Sequence, residues 1–529
     1  MLYAKEDCRF RLTAVRYARR NILATRSPHA HSARMRYDSS VATYHVENFG
    51  CRATQADGAA LERQFESHGL VRATAAHADL VVLNTCTVTQ AADQDARAAV
   101  RRVQRQNPLA KIIVTGCYAQ RAPAEIAALP GVTCVIGNSH KHQLAEIALH
   151  NVTRNLTPKD LNQHHQSDGE SGQIHEVFLP LSTLTENRQL RTENLVFVSD
   201  IFAHTDLLAA PVFESPNTES AERTRPNLKV QDGCDNRCSF CVIPSVRGHS
   251  RSLHLAEIIR EVNALVTAGY REVVISGINL GRWGRDLGAE HSASGFRPSR
   301  FESLVESILA ETQLEKLRIS SVEPMDWTDE LISLVASSPR IAKHAHVPLQ
   351  SGSDSVLRRM HRKYRPWHYR EKIEKIRAAM PTAAIGADVM AGFPGETDAE
   401  FDATRRLIED LPFTYLHVFT YSARPGTTAA AMPNQVPVHI SRARNKILRD
   451  LAAEKKRVFM QSLIGKPLPA ITLNVLHRRA ESEFTEALTD NYQKLYLKQR
   501  YDPNQWIMAH VEHIDGEALV GAAPDSLAS

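Results

Sequence analysis

The sequence predicts an α/β protein with two successive strand–helix repeats, followed by a small all-β barrel. Short apolar runs alternate with helical stretches over residues 41–150 and again over 226–455, the pattern of parallel sheets covered by helices. Beyond residue 455, helical periodicity gives way to short β-rich runs. The 529 residues are enough for about three or four domains of roughly 150 residues each.

The first repeat predicts a Rossmann-like domain over residues 41–150. Each apolar run is followed by a helical stretch before the next run begins, so we expect the strands to be parallel. The expected strands are Val41–Phe49, Asp79–Asn84, Lys111–Thr115 and Thr133–Ile136, and the expected helices are Asp57–His68, Ala91–Gln106 and Pro123–Ala128.

The second repeat predicts a complete or partial TIM-like (β/α) barrel over residues 225–455. Its expected strands are Leu228–Gln231, Glu272–Ser276, Lys316–Ser320, Ala345–Pro348, Ala384–Val389 and Tyr415–Phe419. Helices such as Leu255–Ala268 and Trp367–Ala379 lie between these strands. Active sites of such barrels lie at the carboxyl ends of the strands.

The remaining segments have weaker sequence patterns for secondary structure. Residues 456–520 predict an all-β, OB-like barrel with strands at Leu468–Val475, Glu483–Leu488, Lys494–Lys498 and Trp506–Ile514. The polar residues 151–224 are expected to form an insert and linker, with a strand signal at Leu195–Ser199 and solvated side chains at His164 and His165. Residues 521–529 are expected to form a tail.

Residues 1–40 are expected to be disordered or a mis-assigned extension. Their eight arginines against three acidic residues match the composition of an organellar transit peptide. We favour the simpler interpretation that translation starts at Met35, which leaves Cys8 without a role.

Composition excludes several classes of protein. No apolar run reaches about 18 residues, so no membrane span is expected. Eight cysteines are too few for a disulfide framework in a chain this long, and their clustering suits metal binding in a reducing compartment, here the cytoplasm. The net charge of +5 permits a polyanionic partner without requiring one.

The most informative motif contains Cys234, Cys238 and Cys241 at the spacing C-x3-C-x2-C. Three thiolates at this spacing can bind three irons of a [4Fe–4S] cluster, whereas ordinary ferredoxin-type sites supply four cysteines. An iron that has no protein ligand is typical of a catalytic site rather than of a structural one. A zinc knuckle is the alternative, and His249 is its only nearby candidate for a fourth ligand.

A second group of cysteines follows the strands of the first repeat. Cys51, Cys86 and Cys117 each come just after a predicted strand. The carboxyl ends of parallel strands meet at one sheet edge, so we expect these thiols to converge on a second cluster. The alternative is three separate, half-buried core cysteines. Cys134 lies within an apolar strand and is expected to be a core residue.

The order of these motifs resembles the radical S-adenosylmethionine (SAM) methylthiotransferase family. NFGC, NTC and TGC precede GCDNRCSFCVIPSVRG (233–248), and a small β-barrel follows, so the resemblance spans about residues 41–515. It implies that Cys51, Cys86 and Cys117 bind an auxiliary [4Fe–4S] cluster, and that Cys234, Cys238 and Cys241 bind the cluster that holds SAM. It also implies that the terminal barrel is a TRAM-like, OB-like RNA-binding domain.

The resemblance further implies cofactor contacts and partners. SAM contacts are expected at Gly277, Ser320, Glu323, Gln350, Ser351 and Asp388, in segments that match the family's motifs. The implied cofactors are two [4Fe–4S] clusters and SAM. The implied partners are the tRNA anticodon stem-loop and an electron donor such as flavodoxin or ferredoxin, with the enzyme acting as a monomer.

The chemistry that the resemblance implies has two parts. Reductive cleavage of SAM gives methionine and a 5′-deoxyadenosyl radical, which removes hydrogen from an unactivated carbon. Sulfur held at the auxiliary cluster is then inserted, and a second SAM donates the methyl group.

The substrate is inferred from two short segments. Residues 50–58 and 277–284 most resemble the branch that modifies C2 of N6-threonylcarbamoyladenosine at position 37 of tRNA. The alternatives are N6-isopentenyladenosine in tRNA and an aspartate of a ribosomal protein. If the chain is not an enzyme, the alternative is an RNA-binding protein whose iron–sulfur clusters are only structural. RNA contacts are expected at Arg247, Arg251, Arg282 and Arg285.

Overall fold

The structure is a computed structural model that describes residues 42–153, 195–204, 207, 224–292, 295–479 and 482–523. The expectations for residues 1–40, for Cys8 and for His164 and His165 concern positions outside these ranges. The predicted domain boundaries stay a prediction, because helices and strands alone do not show which segments fold independently.

The first repeat forms a six-stranded sheet in the order β2-β1-β3-β4-β5-β6, and every neighbouring pair is parallel. The strands are β1 Thr43–Asn48, β2 Val71–Arg72, β3 Leu80–Thr85, β4 Lys111–Gly116, β5 Val132–Gly137 and β6 Leu195–Phe197. The helices are α1 Arg52–Ser67, α2 Gln90–Gln106, α3 Cys117–Arg121, α4 Pro123–Ala127 and α5 Leu144–Thr153. The predicted Rossmann-like sheet is confirmed, and Cys134 is buried in it on β5.

Helix α1 begins five residues earlier than its predicted start at Asp57. Its buried side includes Thr54, Asp57 and Gly58, so the apolar periodicity that marks most helices is interrupted there. Gly58 is needed because a Cβ at this position would lie 2.0 Å from Asn48 Oδ1 on β1. The close packing of α1 on the sheet therefore depends on polar residues and a glycine, which do not predict a helix from the sequence.

The second repeat forms a partial barrel of six parallel strands. The six strands are β7 Asn227–Asp232, β9 Glu272–Gly277, β12 Lys316–Ile319, β13 His344–His346, β14 Ala384–Ala391 and β15 Tyr415–Thr420. Three short strands accompany them: β8 Arg251–Ser252, β10 Ala289–Ser292 and β11 Gly295–Pro298. Its helices are α6 Ile243–Arg247, α7 Leu255–Thr267, α8 Phe301–Glu311, α9 Asp329–Ser337, α10 Asp354–Arg359, α11 Pro366–Ala379, α12 Asp398–Asp410 and α13 Val438–Gln461.

The barrel strands run in the order β7-β9-β12-β13-β14-β15. Two sheets carry this order, and a parallel bridge between Ser321 and His346 joins them. All six predicted strands are present, whereas the short strand β8 and the hairpin β10–β11 were not predicted. Within the described residues β15 does not pair with β7, so the barrel is partial.

The chain ends in a closed barrel in the order β16-β17-β18-β20-β19. Its strands are β16 Pro467–Arg479, β17 Ser482–Thr489, β18 Lys494–Leu497, β19 Trp506–Asp515 and β20 Ala518–Ala522. Strand β20 was not predicted, and the predicted tail over 521–529 is wrong at Gly521 and Ala522, which belong to this strand. Its apolar run is too short to stand out in the sequence. Helix α13 continues to Gln461, beyond the predicted end of helical structure at residue 455.

The terminal barrel is attached to the (β/α) barrel through buried charges. Arg318 on β12 bonds to Glu272 at 2.6 Å and donates to the backbone oxygen of Asp490 at 3.1 Å. Lys316 lies 3.3 Å from the Asp490 carboxylate.

In the part of the chain that the structure describes, no helix has the length and apolarity to cross a membrane.

A second set of buried charges attaches the first sheet to the (β/α) barrel. Asp93 on α2 bonds to Arg121 at 3.1 Å and pairs with Arg424, from the loop after β15. Asp93 also accepts a bond of 2.6 Å from Thr87. Arg424 is 2% exposed, so its charge depends on Asp93 for compensation.

Replacing Asp93 by Asn leaves the buried Arg424 without its counter-charge, and it leaves Arg121 paired with Glu125 at 3.8 Å. We expect Asp93→Asn to lower the free energy of unfolding by about 3 kcal/mol, measured by urea denaturation. The control is Asp95→Asn on the exposed side of the same helix, which should change stability by less than about 0.5 kcal/mol. Equal stabilities for the two variants would contradict this account of the interface.

Candidate active site

Cys51, Cys86 and Cys117 lie together at the carboxyl edge of the first sheet, and we call them the first triad. Cys86 directly follows β3, and Cys117 directly follows β4. The register pairs Thr85 with Gly116, so the two cysteines leave neighbouring strands side by side. Cys51 precedes α1 and interacts electrostatically with Cys86, as Cys117 does.

Gly50 brings the third member of the first triad into place. Its φ of +107° lies in the region that favours glycine. A Cβ at this position would lie 2.4 Å from the Cβ of Cys86 and 2.9 Å from its Sγ. The turn before Cys51 can therefore reach the other cysteines only with glycine at this position.

Within the first triad, burial controls the protonation of Cys86. Burial raises the pKa of Cys86, and the neighbouring thiols of Cys51 and Cys117 raise it further, against the attraction of Arg247. In the metal-free chain the Cys86 thiol is therefore neutral at pH 7, and metal binding would release its proton.

Cys234, Cys238 and Cys241 form the second triad, in the loop and turn that follow β7. The loop starts at Gly233, whose φ is +71° and where a Cβ would lie 1.8 Å from the backbone oxygen of His249. Burial raises the pKa of Cys234 to about 11 and that of Cys241 to about 12.

Nitrogen donors surround the sulfur atoms of both triads. Asn279 Nδ2 lies 3.6 Å from Cys234 Sγ, and Arg362 Nη1 lies 3.3 Å from Cys238 Sγ. Asn138 Nδ2 lies 3.6 Å from Cys117 Sγ. Hydrogen bonds to ligand sulfur are one means by which proteins tune iron–sulfur clusters, so both triads fit such a group.

The zinc alternative lacks its fourth ligand at the second triad. His249 is exposed, and its Nδ1 lies 2.8 Å from the carboxylate of Asp235. Among the described residues, no three Cys, His, Asp or Glu side chains are grouped as ligands of a single metal ion. A four-iron cluster needs no such close group, because each cysteine binds a different iron.

The two triads meet at one apolar cluster. Cys117 belongs to a buried group with Val242, Ile243 and Val246. Cys234 and Cys241 pack against the same group, together with Val88 and Ile278. The structure therefore places one cysteine of the first triad and two of the second against a common apolar cluster.

Two of the predicted SAM contacts, Gly277 and Glu323, are linked to the second triad through neighbouring side chains. Gly277 ends β9, and a Cβ there would lie 2.9 Å from Gln231. Glu323 forms an ion pair with Arg362, the residue that donates to Cys238. The carboxylate of Glu323 thus orients the guanidinium on the cysteine sulfur.

The other predicted contacts lie at neighbouring strand ends. Ser320 directly follows β12 and lines a small cavity. Gln350 has a φ of +62° and donates its N–H to the Asp388 backbone oxygen at 2.8 Å. Ser351 is buried, and its hydroxyl lies 3.1 Å from that of Thr404. No described contact joins Ser320, Gln350, Ser351 or Asp388 to the cysteines, and their role stays a prediction.

Sequence reasoning missed two residues that organise the second triad. Arg362 lies 121 positions after Cys241, and no local pattern connects them. Gln231 is buried and donates to the backbone oxygens of Asp232 and Gly233, both at 2.9 Å. Its Oε1 accepts from Asn279 N at 2.7 Å, which joins the cysteine loop to the end of β9.

Two of the arginines expected at an RNA surface lie elsewhere. Arg247 is 2% exposed and bonds to Asp232 and Asp57, both at 2.9 Å, so the prediction of an RNA contact is wrong for this residue. The Arg251 side chain is 13% exposed and donates to backbone oxygens of Arg247 and His204. The sequence gives no sign of the buried acids that hold these arginines.

Two family models match separate parts of the chain. Residues 43–137 match the uncharacterized protein family UPF0004, and residues 228–408 match the radical SAM superfamily. A solved radical S-adenosylmethionine methyltransferase, TsrM from Kitasatospora setae, aligns with a TM-score of 0.48 at 15% identity, covering 72% of this chain and 73% of that chain.

Relatives align over most of the chain. The threonylcarbamoyladenosine tRNA methylthiotransferase MtaB of Bacillus subtilis is 34% identical over 87% of this chain and 91% of its own length. The tRNA-2-methylthio-N(6)-dimethylallyladenosine synthase of Streptomyces avermitilis is 32% identical over 78% of this chain and 73% of its own length.

The geometry at Gly50 predicts a selective defect. In Gly50→Ala, the added methyl group displaces Cys86, and we expect the reconstituted protein to lose about half of its iron and sulfide while the second triad stays loaded. Iron and sulfide analysis measures this loss. The control is Gly69→Ala, where φ is +80° but nothing lies within 4 Å of the new Cβ. Full iron content in Gly50→Ala would contradict the placement of the first triad.

Proposed function

The chain belongs to the radical SAM methylthiotransferase family, and from that premise we propose that it adds a methylthio group to C2 of N6-threonylcarbamoyladenosine at position 37 of tRNA. As a member of this family it is a SAM-dependent enzyme that uses [4Fe–4S] clusters. The observation that carries the proposal is the meeting of the two triads at one apolar cluster, because sulfur insertion and radical formation must act on the same nucleoside.

In the proposal, the first triad (Cys51, Cys86 and Cys117) holds the auxiliary cluster and the second triad holds the cluster that binds SAM. When bound, the clusters and SAM supply the radical and sulfur chemistry, and the protein supplies position and a dry site. Val242, Ile243 and Val246 exclude water between the triads. Arg362, held by Glu323, places a positive charge on the sulfur of Cys238.

The proposed choice of nucleoside has two supports. The residues 50–58 and 277–284 resemble the branch that acts on threonylcarbamoyladenosine. The Bacillus relative that is named for that activity is 34% identical over 87% of this chain. Percent identity separates the two little, at 34% and 32%, so N6-isopentenyladenosine is the second candidate.

The terminal barrel is proposed to contact the anticodon stem-loop. Two of its basic residues are already paired: Lys494 lies 3.1 Å from Glu486, and Lys498 pairs with Glu512. We therefore propose recognition by shape and stacking more than by a strongly basic surface. A flavodoxin or ferredoxin as reductant, a monomeric state and a cytoplasmic location complete the proposal.

Nucleoside analysis of tRNA tests the substrate. In cells that lack this chain, mass spectrometry should show loss of 2-methylthio-N6-threonylcarbamoyladenosine, and expression of the chain should restore it. Loss of 2-methylthio-N6-isopentenyladenosine instead would support the second candidate. An unchanged tRNA profile with an altered ribosomal protein would contradict both.

Separate loss of the two triads tests their division of labour. Cys238→Ala should abolish SAM cleavage, measured as 5′-deoxyadenosine, because an essential ligand of the proposed SAM-binding cluster is gone. Cys86→Ala should keep 5′-deoxyadenosine formation and lose methylthio product. Cys134→Ala, a buried cysteine away from both triads, is the control and should keep both activities. Product formation by Cys86→Ala would contradict the proposed role of the first triad.

A further inference from the structure

A cavity lies beside the first triad, on the side where α1 and α6 approach each other. Its floor is formed by Asp57, Asp232, Lys141 and Arg247, all of which are buried. His142 and His204 line the same cavity and are partly exposed, so they form its mouth. The cavity is small, about 20 Å³ in volume, which is room for one small group.

The charges around this cavity do not cancel. Lys141, Lys229 and Arg247 surround the carboxylate of Asp57, and Arg247, Lys229 and Arg251 surround that of Asp232. Four cations thus face two carboxylates, an excess of two positive charges. Burial lowers the pKa of Lys141 while Asp57 opposes that effect, and even a neutral Lys141 leaves an excess of one.

Two hydrogen-bond donors at the cavity have no partner among the described residues. They are the buried Nε atoms of Arg247 and Arg251. A buried donor without an acceptor costs about 1–3 kcal/mol, so an acceptor bound in the cavity would recover that free energy. The excess charge and the free donors both favour an anion.

The cavity is in direct contact with the surroundings of Cys117. Arg247 and Lys141 both interact electrostatically with the Cys117 thiol. Asn138 lines the cavity, and its Nδ2 lies 3.6 Å from Cys117 Sγ while its Oδ1 has no partner among the described residues. An anion in the cavity would therefore be one side chain away from the first triad.

We propose that this cavity binds a small anion with a terminal sulfur atom, of which hydrosulfide is the simplest, as the sulfur supply of the first triad. The choice of sulfur rests on the proposed function: each methylthio group contains a sulfur atom, and a sulfur donor must therefore reach the enzyme. The proposed step is binding alone, without covalent or redox change. The two carboxylates position the cations and are already satisfied by them.

The direct test uses the full-length, cluster-loaded protein and hydroselenide as the probe. Crystals soaked anaerobically in hydroselenide should show a selenium anomalous peak in the cavity, within hydrogen-bonding distance of Arg247 Nε. In Arg251→Gln, which removes one cation and one free donor, that peak should disappear. A bromide soak is the control: bromide bound equally well in the cavity would indicate an adventitious ion only.

A kinetic measurement supplies the second readout. With sulfide added as the sulfur source, Arg251→Gln should raise the KM for sulfide about tenfold, the effect of losing one charge-assisted hydrogen bond. The matched control is His140→Gln, since the ring of His140 packs at 5.5 Å from that of His204 but does not line the cavity. This control should leave the KM for sulfide unchanged.

Each outcome decides the proposal. A selenium peak that is lost in Arg251→Gln, with the raised KM, supports it. The absence of a selenium peak in the cavity of the loaded protein, or bromide bound there equally well, overturns it. A selenium peak in a protein that leaves tRNA unmodified would overturn the proposed function and retain the anion site.

Discussion

Asp57 is the buried group through which helix α1 of the first sheet is joined to the (β/α) barrel. It is 1% exposed and lies between Lys141 of its own domain and Lys229 and Arg247 of the (β/α) barrel. A lone carboxylate could not remain ionised in such a place. Burial raises its pKa, but the three cations outweigh burial and hold the pKa below its usual range. Helix α1 can therefore pack on β7 only when these partners are aligned.

This alignment has a chemical consequence. Cys51 directly precedes α1, and Arg247 ends the helix α6 that begins two residues after Cys241. The same ion pairs that dock α1 thus fix the first triad relative to the second. Removing one partner from such a buried network costs about 3–5 kcal/mol, whereas the intact network itself contributes little net stability. The network holds the first triad at a fixed position relative to the second.

The sequence was a good guide where the signal was local. Buried parallel strands appear as unbroken apolar runs, and a cysteine after each run marks the sheet edge, so both triads could be found. Arg362 and Gln231 could not, because they reach the second triad from distant positions in the chain. Arg247 was misplaced because an arginine is usually exposed and nothing local reveals Asp57 and Asp232. Helix α1 was started too late because its buried side carries polar residues and Gly58.

We propose that two four-iron clusters, each with an open iron, lie close together beside one apolar cluster of side chains. Electron paramagnetic resonance of the fully reduced, cluster-loaded protein tests it most directly, because paramagnetic clusters at short range broaden and split each other's signals. The account predicts a spectrum with such an interaction, absent when either Cys86 or Cys238 is replaced by Ala. A spectrum equal to the sum of those two single-variant spectra would contradict it.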